Sequence, residues 1–143
     1  MNRRLPLLAL LGATFSVAAR AQSTPSTGQK KHKLVIQMSD ADPARWNLAL
    51  NNAKNVQEEL GAAQVDIEIV AYGPGIGMLK LDSVANSRVA EASKAGINMV
   101  ACENTMRNLK ISKDDMNSVI SYVPAGVVQL MRRQGEGWAY VRP

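Results

Sequence analysis

The stretch Ile97-Asn98-Met99-Val100-Ala101-Cys102-Glu103-Asn104-Thr105-Met106-Arg107 decides how this chain is read. It opens with a short, mostly apolar run of the length expected for a strand covered on both faces. Gly96 precedes the run, and from Glu103 the pattern turns into a short helix. Strand followed at once by helix is the unit of an α/β sheet. In such sheets a side chain at the C-terminal end of a parallel strand faces the crevice where ligands bind. Cys102, the only cysteine of the chain, holds that position. A thiol there reads as a nucleophile, as a sulfur carrier, or as a small buried hydrophobe, and the stretch alone leaves these open.

Working outward, the same alternation repeats. Leu34-Val35-Ile36-Gln37-Met38 reads as a first buried strand, followed by the turn Ser39-Asp40-Ala41-Asp42. Asp42 is a good helix N-cap and Pro43 suits the first helical position. Trp46, Leu50, Ala53, Val56 and Leu60 recur at three- and four-residue spacing, and Gly61 stops the helix. Val65 to Tyr72 is the second strand. Asp66 and Glu68 alternate with apolar residues there, which suggests a wetter face and a place near a sheet edge. Gly73-Pro74-Gly75-Ile76-Gly77 is a turn-forming loop, and Ser83 to Ala95 reads as the second helix. Ser112-Lys113-Asp114-Asp115 has the form of a capping box. Val119 to Val123 is a fourth strand. Pro124-Ala125-Gly126 leads into a final helix carrying Val127, Val128, Leu130 and Met131, which Gly135 and Gly137 break. Trp138 to Val141 closes the chain as a strand. This order predicts an α/β fold with a mostly parallel sheet of about five strands, covered on both faces.

The N-terminus reads as a targeting segment. Arg3 and Arg4 precede the apolar stretch Leu5 to Val17, and Ala19-Arg20-Ala21 has the form of a cleavage site. Residues 1–21 are thus expected to be a signal peptide, which places the mature protein in the periplasm or outside the cell. No stable membrane insertion is expected after cleavage, because the apolar part is too short to span a bilayer well. Residues 22–33 lack apolar periodicity and include Lys30-Lys31-His32-Lys33, so they read as a flexible basic linker. The domain proper is expected over residues 34–143. The signal holds three of the 17 basic residues and none of the 12 acidic ones. The formal charge of +5 therefore falls to roughly +2 in the mature chain. No basic stripe is interleaved with aromatics, so nucleic acid is not an expected partner.

Composition excludes several chemistries. The single histidine, His32, lies in the linker, so a Ser-His-Asp or Cys-His site has no base within the domain. One histidine and one cysteine do not make a zinc site, and no metal or cofactor is expected. Asp40 and Asp42 fit helix capping better than cation binding. The Gly73–Gly77 loop could present N–H groups to an anion. It matches neither the dinucleotide fingerprint nor a P-loop, and a turn that needs glycine is the plainer reading. Reactivity at Cys102 requires a positive local potential. The helix start after it and Arg107 could supply that potential, whereas Glu103 would oppose it.

The segments Leu34 to Met38, Leu50-Asn51-Asn52-Ala53-Lys54-Asn55, Val70-Ala71-Tyr72-Gly73-Pro74-Gly75 and Val100 to Met106 together carry a resemblance. Pro124-Ala125-Gly126-Val127-Val128 and Gly137 to Pro143 extend it. In that order and spacing the chain resembles the DsrE/DsrF-like family, small α/β proteins that include sulfur-relay subunits. The resemblance implies a three-layer α/β/α sandwich that assembles into trimers or hexamers. It also implies a persulfide-bearing cysteine after the third strand, which here is Cys102, exchanging sulfane sulfur with a thiol-bearing donor or acceptor. The chain looks closest to an exported branch, and it lacks a second cysteine. Two functions are carried forward. In one, Cys102 accepts sulfur with Arg107 stabilising its thiolate. In the other, a non-catalytic binding or assembly module holds a small ligand near Asp40, Gly73, Gly75, Asn104 and Thr105, and Cys102 is structural. A third, an envelope protein tethered by its basic arm, rests on residues 22–33.

Overall fold

The structure is a computed structural model and describes residues 32–143. The expected signal peptide, and the expected linker up to residue 31, lie outside the described residues. Five strands form one all-parallel sheet: β1 (His32–Met38), β2 (Val65–Ala71), β3 (Asn98–Cys102), β4 (Ser121–Val123) and β5 (Ala139–Val141). Their order across the sheet is β4-β3-β2-β1-β5. The helices are α1 (Pro43–Leu60), α2 (Asn86–Lys94), α3 (Glu103–Asn108) and α4 (Gly126–Gly135).

The chain steps from β1 to β4 in one direction across the sheet, and right-handed crossovers place α1, α2 and α3 on the same face. Trp46, Leu50 and Ala53 of α1, Val89 of α2 and Met106 of α3 pack there on Ile36, Met38, Ile67, Ile69, Met99 and Ala101. The last crossover returns from β4 to β5 in the opposite direction, so among the described residues α4 is the one helix on the other face. Its apolar core is small: Val35, Val70, Val100 and Leu130. The expected three layers are present, one thick and one thin.

Local signals explain the main boundaries. The Asp42 carboxylate accepts from the Ala44 N–H at 2.8 Å, and Gly61 ends α1 at a φ of 87°. Ser112 and Asp115 form the capping box, around a 3₁₀ turn at Lys113–Asp115. The 3₁₀ segment Gly73–Leu79 follows β2. A Cβ at Gly75 would fall 2.2 Å from the Met38 carbonyl oxygen, so glycine is required for this loop to lie against the end of β1.

Three expectations need correction. β1 begins at His32, two residues earlier than the composition implied. The backbones of His32 and Lys33 pair with Val65 and Asp66 regardless of their basic side chains. β2 is the central strand, not one near an edge. Its acidic alternation has another cause, because Glu68 is only 1 % exposed and is matched by partners on α4 and β3. α2 starts at Asn86, not Ser83, because the Ser83 hydroxyl accepts from the Ala85 N–H and holds a turn before the helix; Val84 is exposed as a result. α4 turns three of its four large apolar residues outward. Gly126, Gln129, Leu130 and Arg133, spaced as one helical face, point at the sheet, while Val127, Val128 and Met131 are exposed.

Candidate functional site

The crossovers after β3 and β4 leave on opposite faces of the sheet, the arrangement that in α/β folds puts the ligand crevice at the C-terminal ends of such strands. Cys102 ends β3 there and pairs with Val123 of β4. It shares its side of the sheet with Asn98 and Val100, beneath α4. Cys102 is a free cysteine, 5 % exposed.

Burial alone would raise the thiol pKa, and it is the largest single influence on this group. Four hydrogen-bond donors outweigh it, so that the thiol lies below its ordinary value. They are the Thr105 hydroxyl and the main-chain N–H groups of Gly126, Thr105 and Asn104. Two helix starts supply the main-chain donors, because free N–H groups occur in the first turn of every helix. α3 begins directly after Cys102, and α4 brings Gly126 in from the other face of the sheet. The Asn104 N–H also donates to the Pro124 carbonyl at 3.1 Å, which ties the two helix starts together.

Thr105 is buried, and its hydroxyl oxygen accepts from the Gly73 N–H at 2.9 Å. The hydroxyl proton is then available to the sulfur. Gly126 owes its place to having no side chain. A Cβ on it would sit 3.0 Å from the Tyr72 Cβ and 3.3 Å from the Cys102 Cβ. α4 therefore starts in contact with the cysteine.

The expected site residues separate into two groups. Cys102 and Thr105 come together, with Gly73 behind Thr105. The Asn104 backbone joins them, while its side chain is exposed and bonded to Arg107. Arg107 does turn back along α3, but it ends on the Asn104 amide, and neither it nor Glu103 is among the groups that move the thiol. Gly75 donates its N–H to the Tyr72 carbonyl at 3.1 Å and packs on β1. Asp40 follows β1, two strands from β3, which is about 10 Å across the sheet. Its carboxylate lies 3.9 Å from Arg142 and its carbonyl accepts from the Trp46 indole.

Gly126 was not anticipated. Its signal in the sequence is a glycine opening a helix after Pro124, a pattern that a simple lead-in shares. Glu68 was missed as well. An acid inside Ile67-Glu68-Ile69-Val70 calls for a partner once the strand is central, but nothing local says that it is.

A groove of about 420 Å³ between α1 and α2 has Leu50, Ala92 and Ile97 in its lining. Its polar rim is internally engaged: Arg88 holds Asn47 and Asn51, Gln57 reaches the Ala95 carbonyl, and Lys54 pairs with Glu58. Among the described residues, no group of three or more His, Cys, Asp or Glu is placed to hold a metal ion.

Comparison with known proteins agrees with this architecture. No curated protein matches the sequence. The solved structure of MTH1491 from Methanobacterium thermoautotrophicum, described as a protein of unknown function, is 36% identical with a TM-score of 0.75. That match covers 78% of this chain and 99% of the other. BT1422 from Bacteroides thetaiotaomicron, also described as of unknown function, shares the fold at 18% identity and a TM-score of 0.64. It covers 78% of this chain and 94% of its own. The profile of the DsrE/DsrF-like family matches residues 30–143, so that with its parallel five-stranded sheet the chain belongs to the DsrE/DsrF-like family.

Proposed function

We propose that this protein is a thiol-based carrier of sulfane sulfur, with Cys102 as the acceptor. One feature carries the reading: two helix starts meet at Cys102, with Gly126 of α4 in contact with it, and the Thr105 hydroxyl and nearby main-chain N–H groups hold the thiol below its ordinary pKa against the opposing effect of burial. A buried cysteine that only fills space has no use for such donors, whereas a nucleophile must be thiolate.

The chemistry balances without an external oxidant. The Cys102 thiolate attacks the terminal sulfur of a donor persulfide. The donor S–S bond breaks, its electron pair leaves on the donor thiolate, and a new S–S bond forms at Cys102. The terminal sulfur keeps its proton. Transfer onward to an acceptor thiolate repeats the exchange and returns Cys102 to its starting state. The same N–H groups that hold the thiolate receive it again as the leaving group, which favours both steps. At 5 % exposure, Cys102 admits a small or extended persulfide more readily than a bulky one.

The A-x-A segment supports export, which would place this exchange in the periplasm or outside the cell. The outward residues Val127, Val128 and Met131 support assembly of several copies. Among the described residues no helix is long and apolar enough to cross a membrane. The low exposure of Cys102 also favours the second reading, a non-catalytic ligand-binding or assembly module.

Intact-mass measurement after incubation with a low-molecular-weight persulfide separates the two. A reducible gain of one sulfur atom, absent from Cys102→Ser, is the expected result. A folded protein that neither gains sulfur nor reacts with alkylating reagents would refute the carrier and leave the binding module.

A further inference from the structure

The face of the sheet beneath α4 is built in three tiers. Nearest the C-terminal ends of the strands, Gly126 sits over Tyr72 and Cys102. Next, Leu130 packs on Val70 and Val100. Furthest down is a polar cluster around the buried carboxylate of Glu68, which neighbours Asn98 across the β2–β3 pairing. One oxygen of Glu68 accepts from the Gln129 amide at 2.6 Å. The other accepts from Arg133 at 2.8 and 3.2 Å and from the Asn98 amide at 3.1 Å. Arg133 is held in turn by Glu136 at 3.0 Å and lies 4.6 Å from the centre of the Trp138 ring. No buried side-chain polar atom of the described residues lacks a partner.

This cluster is large for the helix it holds. α4 buries only one apolar side chain of size, Leu130, and a single leucine does not fix how a helix slides or tilts on a sheet. The Arg133 contact does, because the Nε and Nη2 prongs of one rigid fork close on a single Glu68 oxygen, and that geometry is directional. Arg133 and Gly126 are seven residues apart on one rigid helix, about 10 Å along its axis. A pivot at Glu68 therefore sets where the Gly126 N–H points.

We propose that Glu68, with Arg133 and Gln129, is a positioning clamp for Cys102: it holds α4 in the register that delivers the Gly126 N–H to the sulfur. The inference rests on Cys102 being the reactive thiol. Its readout is the thiol pKa, measured with no sulfur donor present, so its failure and the failure of sulfur loading are separate results.

The test uses the full chain with Glu68→Gln and Arg133→Met combined. Removing both charges leaves no orphaned buried ion, and the net charge is unchanged. Glu103 and Arg107 on α3, Tyr72 beyond β2, Asp66 on β2, Tyr122 on β4, and Arg132 and Glu136 at the end of α4 stay as they are. The thiol is titrated by thiolate ultraviolet absorbance and by the pH dependence of alkylation. The clamp predicts a rise of about one pKa unit, a tenfold smaller thiolate fraction near neutral pH, in a protein that keeps its circular dichroism. A folded double variant with an unchanged thiol pKa would show the cluster to be merely structural and overturn the proposal. If the double variant does not fold, Arg133→Lys gives the same reading, because it keeps the charge beside Glu68 but loses the fork. An upward shift there supports the clamp, and an unchanged pKa in the folded protein overturns it.

Discussion

Gly126→Ala tests the geometry of the thiol crevice most directly, because it adds one methyl group at the contact between α4 and Cys102. The new Cβ would meet the Tyr72 Cβ at 3.0 Å, the Tyr72 Cδ1 at 3.2 Å and the Cys102 Cβ at 3.3 Å. Carbon atoms prefer separations of about 3.5–4.0 Å, so the start of α4 must move outward by roughly half an ångström. Overpacking of this kind costs about 1–3 kcal/mol. Alanine recovers up to about 1 kcal/mol by restricting the unfolded chain. The expected net loss is about 1–2 kcal/mol, or a melting temperature lower by about 4–9 °C for a domain of this size. Because the N–H of residue 126 moves with the helix, the thiol pKa should rise by a few tenths of a unit up to about one unit. Urea unfolding gives the first quantity and thiolate absorbance the second. A variant as stable as its parent, with the same thiol pKa, would refute both the close contact and the role of the Gly126 N–H.

Two further outcomes follow from the same site. Thr105→Val keeps the side-chain shape but removes the hydroxyl that donates to Cys102 and accepts from Gly73; the thiol pKa should rise by about one unit, while circular dichroism stays that of the parent. The folded thiol has a lowered pKa, so the unfolded state binds more protons between the folded and unfolded values. Stability should therefore rise with pH across that interval and be lost as pH falls through the folded value. Urea midpoints measured against pH should show this rise in the parent and not in Cys102→Ser. Equal slopes in the two proteins would count against thiolate stabilisation.

The legible parts of the fold were those specified within a few residues. Asp42-Pro43 and Gly61 bound α1 where their capping chemistry places the ends, and Ser112 with Asp115 forms its box. Cys102 lands at the end of β3 because the apolar run before it is a strand and a helix start follows. Errors arose where a residue's meaning depended on a distant partner. The local pattern makes Ser83 the start of α2, whereas its hydroxyl holds a turn ahead of the helix. Taken locally, Glu68 signals a nearby edge, whereas its partners Asn98, Gln129 and Arg133 lie 30, 61 and 65 residues further along the chain.

The sequence by itself determined the alternation of strand and helix, the parallel sheet, the family resemblance, and the placing of the one thiol at a strand end. Periodicity, caps and glycine stops are local, and each acts through its own few residues. Only the tertiary structure decided what that thiol experiences. Thr105 takes its orientation from Gly73, 32 residues away. The Gly126 N–H reaches the sulfur only because the last crossover reverses direction and lays α4 on the opposite face. Whether a buried cysteine is an inert filler or a stabilised thiolate depends on which donors the fold brings to it. Those donors come from separate segments that meet only when the sheet is complete.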